Sequence, residues 1–196
     1  MPLRDDLRGI GERVLSFYTR GGDAPYFVYV YDPRVEWDVR RDLNDLQLWL
    51  QAPDRAVACA AISLADLFWQ ALAEEGWSDA LIHAEREAGD DHAALAEVHR
   101  SVGEILRQQP SLHNRVVEAI DAFQGNRTAV FLYRAGALYP AYRTSTLLDE
   151  LRGRVRMPVT LLYPGSLLGD FGLKFMGRSE PAYGYRALIV PRGARP

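Results

Sequence analysis

The chain has 196 residues, of which 48% are hydrophobic and 25% charged, and its formal net charge is −3. This composition is typical of a globular protein, and the length suits a single α/β domain over residues 1–196. The negative charge argues against direct DNA binding, and no apolar stretch reaches the roughly 18 residues that would predict a transmembrane helix.

An amphipathic helix is predicted over residues 3–18, where apolar residues recur at helical spacing between charged ones. Charges of both signs occur throughout this segment, which is not typical of a secretory signal peptide. The only cysteine, Cys59, lies in an apolar run and cannot form an internal disulfide, which fits a reducing compartment. We therefore expect a cytoplasmic protein.

Two strand–helix units follow this helix. The aromatic and β-branched run at residues 26–33 predicts a strand buried on both faces, and residues 36–51 predict a helix whose apolar positions include Trp37. A second buried strand is predicted over residues 55–64, and the helix after it ends near Gly76. Strands alternating with helices in this way are typical of a parallel α/β sheet.

Residues 77–124 have a different character, because they are charged, show helical apolar spacing and lack strand signals. We interpret this segment as a helical insert between the second and third strands.

The sheet is predicted to resume with a strand over residues 127–133, followed by a helix at 145–151. Another buried strand is predicted at 157–165 and the last one at 185–191, while the glycine-rich segment 166–180 is expected to be a loop. The predicted fold is thus a three-layer α/β structure with a mostly parallel sheet of about five strands flanked by helices. It resembles a degenerate nucleotide-binding fold that lacks a P-loop.

The motifs that carry common enzyme chemistry are absent from the sequence. It contains no Walker-type P-loop, no Gly-x-Ser-x-Gly nucleophile elbow and no histidine or cysteine pairing typical of zinc. Ser63 and Asp66 have the spacing of a helix start rather than of a catalytic pair. We expect no metal site and no cofactor, and the sequence favours a non-enzymatic protein while leaving enzymatic activity undecided.

Polar and aromatic residues follow several of the predicted strands, and the carboxyl edge of a parallel sheet is where open α/β folds bind ligands. Two buried strands are expected to end in Tyr-Pro, and two arginines lie near a predicted helix start. These arginines could hold a phosphate or a partner's carboxylates, or could equally brace the loops by pairing with Asp32. The candidate ligand or partner edge comprises Asp32, Arg134, Gly136, Tyr139, Pro140, Arg143, Tyr163, Pro164 and Gly165.

The strings FLYRAGALYPAYRTSTLLDEL, MPVTLLYPG, LKFMG and YRALIV, in that order, resemble the C-terminal signature of the BrxB family. This family consists of small proteins of bacteriophage-exclusion (BREX) defence systems. The strings APYFVYVYDP and AISLADLFWQAL are also similar to that family, so the resemblance covers about residues 20–190.

The resemblance implies a role in defence against phage, beside a DNA methyltransferase, a large ATPase and a phosphatase-like protein of the PglZ type. The PglZ-type protein is the expected direct partner, and the methyltransferase and the ATPase are further candidates. The family supplies no catalytic residues to transfer. The favoured function is a non-catalytic adaptor or assembly component. The alternatives are a degenerate nucleotide- or phosphate-sensing domain that uses Arg134 and Arg143 and, ranked last, a DNA-binding subunit.

Overall fold

The molecule is built around a mostly parallel sheet with helices on both faces, which confirms the predicted fold class. The computed structural model describes residues 3–74, 76–123 and 127–193. The strands in these ranges are β1 (Tyr26–Tyr31), β2 (Ala58–Ser63), β3 (Thr128–Tyr133), β4 (Val159–Leu168), β5 (Gly172–Phe175) and β6 (Leu188–Pro191). The α-helices are α1 (Asp5–Arg20), α2 (Glu36–Gln51), α3 (Leu64–Glu74), α4 (Ser78–Ala88), α5 (His92–Ile105), α6 (Leu112–Asp121) and α7 (Thr144–Leu151).

The strands are arranged in the order β2-β3-β4-β1-β6, and neighbouring strands in this path are parallel. β4 pairs with β1 along its first six residues, from Tyr26 opposite Val159 to Tyr31 opposite Pro164. β5 lies off this path and pairs antiparallel with the second half of β4. The carboxyl ends of all five strands in this path therefore lie at the same edge of the sheet.

Each face of the sheet carries its own apolar core, which explains why all six residues of β1 are buried. Phe27, Tyr29 and Tyr31 point to the face that α1 and α2 cover. Tyr26 and Val28 belong to the opposite core, with residues of α3, α5, α6 and α7. Side chains of a strand alternate between faces, so a strand covered on both sides reads as a continuous apolar run.

A group of charged side chains, which we call the terminal clamp, joins the start of α1 and the middle of α2 to the two residues that follow β6. Asp42 in α2 is only 2% exposed and accepts a hydrogen bond of 2.8 Å from Arg192. Arg4 donates to the carbonyl oxygen of Gly193 at 2.6 Å, and the amide of Gly193 donates to Asp6 at 2.9 Å. The clamp fixes β6 beside β1 at the margin of the sheet.

Helices α4, α5 and α6 lie between the second and third strands, in the segment predicted to be a helical insert. Gln124, the predicted last residue of that insert, lies outside the described residues. α4 has no fully buried side chain, and residues of α3, α4 and α5 line a cavity of about 210 Å³.

Two predictions about individual strands are wrong. Residues 166–180 are not simply a loop, because β4 continues to Leu168, turns at Gly169 and returns as β5, with Leu167 opposite Leu173. β2 is not a buried strand, because it lies at one end of the strand order, where Ala58 and Ala61 are exposed.

The expectation that two strands end in Tyr-Pro is also wrong. β3 ends at Tyr133, and a short 3₁₀ helix over Ala135–Leu138 precedes the cis Tyr139–Pro140 bond. The second pair, Tyr163 and Pro164, lies within β4 rather than at its end.

Candidate functional site

The carboxyl edge of the sheet brings together the ends of strands that are far apart in sequence. Asp32 follows β1, Ser63 ends β2 and Arg134 follows β3 directly. The predicted edge residues therefore lie on one side of the molecule, as a parallel sheet requires. They do not line a single pocket, however, because they are divided among three neighbouring clefts.

Pairing of Arg134 with Asp32, one of the two alternatives left open by the sequence, does not occur, because both residues have local partners. Asp32 forms an ion pair with Arg34, and the hydrogen bonds from that guanidinium and from the Arg34 amide lower the pKa of Asp32 to about 2. Arg134 adopts a left-handed backbone conformation, with φ of 57°, and donates to Asp66 at 2.7 Å. The structure thus shows no Asp32–Arg134 bridge among the described residues.

The first cleft, of about 520 Å³, lies where β1 meets the β4–β5 hairpin. Asp32 and Arg34 form one wall and neutralise each other, while Gly165 and Arg178 belong to the other. Among the described residues that line this groove, Arg178 is the one charged side chain besides Asp32 and Arg34.

The second cleft is flanked by two exposed indole rings, and we call it the tryptophan cleft. Trp37, in the first turn of α2, is 72% exposed, and Trp69 in α3 is 49% exposed. The cleft has a volume of about 380 Å³. Its walls include Trp37, Arg40, Trp69, Arg134, Gly136 and Pro164.

Arg40 lines the tryptophan cleft, and its guanidinium contacts aromatic rings. Its guanidinium carbon lies 4.9 Å from the ring centre of Trp37 and 5.7 Å from that of Tyr133. It makes no ion pair within the part of the chain that the structure describes. A guanidinium stacked on an indole keeps its five hydrogen-bond donors for another molecule.

The third cleft, which we call the tyrosine cavity, also has a volume of about 380 Å³. It lies between the N-terminus of α7 and the segment that follows β5. Tyr139, Pro140 and Arg143 line it together with Tyr163 and Tyr185. The Tyr185 hydroxyl is 2.9 Å from the hydroxyl of Thr144, the first residue of α7.

Tyr163 is fully buried and contributes the floor of the tyrosine cavity. Its hydroxyl makes no hydrogen bond of acceptable geometry with any described residue, although the Tyr185 hydroxyl is nearby. Burial first, and then the proximity of Tyr185, raises the pKa of Tyr163 above the ordinary range. The phenol therefore stays protonated, and the nearest group that could accept its proton in a hydrogen bond is the Tyr185 hydroxyl.

The sequence did not indicate the residues that dominate the tryptophan cleft. Trp37 was assigned to the apolar face of α2, and this assignment is wrong. The buried residues Val39, Leu43, Leu46 and Leu50 form a stripe at helical spacing to which Trp37 does not belong. That mismatch is the signal that could have identified an exposed tryptophan.

Neither a metal centre nor a membrane-spanning helix is found in the described ranges. No group of three or more His, Cys, Asp or Glu side chains there could hold a metal ion. No helix among those residues is both long and apolar enough to cross a bilayer.

Comparison with known protein families gives a match that bears on the family of the chain. A family model described as BREX protein BrxB matches residues 60–190, which is more than half of the chain. The matched region includes the tyrosine cavity and the α3 side of the tryptophan cleft, with Trp69 and Arg134. No curated protein and no solved structure matched the chain.

Proposed function

Because this chain belongs to the BrxB family and is a component of a BREX phage-defence system, we propose that it is a non-catalytic adaptor that binds another protein of that system through the tryptophan cleft. The observation that carries this proposal is the pair of exposed indoles on one cleft, with an arginine stacked on one of them.

The composition of the cleft supports a protein partner. Tryptophan and arginine are enriched at the energetic centres of protein interfaces, where they fill desolvated pockets on the partner. Leaving two indoles in water is unfavourable for an isolated molecule, whereas covering them would remove a large apolar area from solvent. Arg40 supplies a polar anchor beside them.

We propose the PglZ-type phosphatase-like protein of the same system as the direct partner, as the family resemblance implies. The methyltransferase and the large ATPase are the alternatives. A carboxylate on the partner would complement Arg40, which the aromatic rings hold in place without neutralising it.

The test compares tryptophan substitutions inside and outside the cleft. The purified chain and its PglZ-type partner are titrated by isothermal calorimetry. Trp37→Ala and Trp69→Ala are each expected to weaken binding at least tenfold, or about 1.4 kcal/mol, as hot-spot truncations do. Trp77→Ala is the matched control, because Trp77 is 48% exposed and does not line the cleft.

Two results would contradict this proposal. Equal loss of affinity for Trp77→Ala and Trp37→Ala would show that the cleft is not the binding surface. Failure of the unmodified chain to bind any protein of the system at micromolar concentration would exclude the adaptor role.

A further inference from the structure

We propose that the tyrosine cavity binds a nucleoside monophosphate, with the phosphate group at the N-terminus of α7 and the base against the aromatic wall. This binding site is separate from the tryptophan cleft and goes beyond the adaptor function.

The phosphate end of the proposed site is positively polarised. Arg143 is the residue before the first turn of α7, and its side chain provides no cap for the helix amides. The first amides of a helix lack partners inside the helix and carry partial positive charge. The Arg143 side chain is exposed and forms no ion pair with the residues that the structure describes, so its charge adds to that of the amides.

A second, independent observation is the buried hydroxyl of Tyr163, which lines the cavity and has no hydrogen-bond partner of acceptable geometry among the described residues. A buried hydroxyl without an acceptor is unusual, because polar groups in protein interiors are nearly always paired. Tyr185 lies between this hydroxyl and the start of α7, and its own hydroxyl contacts Thr144. If Tyr185 donates to a phosphate oxygen, its oxygen can accept the proton of Tyr163, and both hydroxyls are satisfied.

The remaining wall suits an aromatic base. Tyr139 and Phe175 pack edge to face, with ring centres 5.6 Å apart, and Phe175 also contacts Tyr163 at 5.2 Å. The volume of about 380 Å³ lies within the range of roughly 300–1,000 Å³ that is usual for small-molecule sites. A cationic end and an aromatic wall in one cavity match a phosphate attached to a nucleoside.

One acidic residue opposes this charge pattern. Glu180 is the only carboxylate among the residues that line the cavity, and it is exposed at the rim. Because like charges repel, this side chain weakens the binding of an anion. Removing its charge should therefore strengthen binding, whereas removing the charge of Arg143 should weaken it.

The experiment uses the full chain and a panel of AMP, GMP, CMP and UMP, with adenosine and inorganic phosphate as controls for the two halves of the ligand. Calorimetry is expected to detect at least one mononucleotide at submillimolar concentration, bound at least tenfold more tightly than either half. Arg143→Ala should weaken that binding at least tenfold, Glu180→Gln should strengthen it, and Arg156→Ala, an exposed arginine outside the cavity, should leave it unchanged.

Three outcomes would overturn the proposal. They are no binding of any mononucleotide at millimolar concentration, inorganic phosphate binding as tightly as the mononucleotide, and unchanged binding after Arg143→Ala. The adaptor proposal is tested separately, because Trp37→Ala should impair partner binding without affecting the mononucleotide.

Discussion

Gly165 illustrates how a single residue sets the shape of the candidate edge. A β-carbon at this position would lie 2.3 Å from the carbonyl oxygen of Lys174 and 2.6 Å from the ring of Tyr163. Both contacts are far below van der Waals distance, so any side chain would push β5 away from β4. Glycine is therefore required here by the close approach of two strands, and its role at the edge is structural.

We expect Gly165→Ala to lower the free energy of unfolding by about 1–3 kcal/mol, because overpacking of a tight site costs this much. Gly9→Ala is the control, since no atom other than those of its chain neighbours and of the surrounding backbone of α1 lies within 4 Å of a β-carbon at Gly9. That change should instead raise stability by about 0.5–1 kcal/mol. Urea denaturation measures both values, and equal effects of the two substitutions would contradict the steric explanation.

Sequence reasoning located the candidate residues but not their partners. The position of Arg134 after a strand was predictable, since buried strands read as continuous apolar runs. Its ion pair with Asp66 was not, because that contact depends on how α3 packs beside β3. The tryptophan cleft was missed since hydrophobic residues were assumed to point inward, an assumption that Trp37 violates.

Because of the terminal clamp, the attachment of the last strand, β6, depends on the charge of Asp6. Burial alone would raise the pKa of Asp6, but the hydrogen bonds from Arg4 and from the Gly193 amide lower it below its usual range. The ionised carboxylate is therefore favoured by folding, because it is the form that accepts these hydrogen bonds.

The sign of the pH dependence follows from this lowered pKa. The stability that Asp6 contributes is present above the ordinary carboxyl pKa of about 3.9 and is lost as the pH falls through the lower folded-state value. We expect Val190 and Gly193 to exchange their amide hydrogens faster below about pH 4, after correction for intrinsic rates.

A pair of aspartate substitutions provides the control for this expectation. Asp6→Asn should remove much of the pH dependence at the end of β6, whereas Asp5→Asn should retain it, because Asp6 is the residue that contacts Gly193. Persistence of the full pH effect in the Asp6→Asn protein would assign it to another group.

Helices and strands could be predicted where the apolar pattern of the sequence is strong. The predictions were wrong where pairing with a neighbouring strand determines the structure. The helix bounds 36–51 agree with α2, since the charged and apolar positions alternate at helical spacing. β5 was missed because its four residues, which begin with Gly172, carry too short a pattern, and only their pairing with β4 makes them a strand. Likewise, the exposure of β2 depends on strand order, which local sequence does not encode.

Across the whole molecule, stability is expected to be uneven. β1 is buried at every residue, while α4 has no fully buried side chain and borders a cavity. Segments with few buried contacts open at lower free energy than the central strands. Hydrogen exchange should therefore be complete in α4 well before it is detectable in β1, and comparable protection of the two segments would contradict this expectation.

The strand order also determines at which stage of synthesis the central sheet can assemble. β1 is paired to β4, and Tyr26 lies opposite Val159, so the centre of the sheet joins the first quarter of the chain to the last. Until β4 has left the ribosome, β1 has no strand to pair with on that side, and its apolar side chains are not yet buried in the sheet. Contacts between such distant segments form slowly, and the exposed run is prone to aggregation. Folding of the sheet therefore waits until β4 has been synthesised, and before then residues 26–31 are the segment that a chaperone would bind.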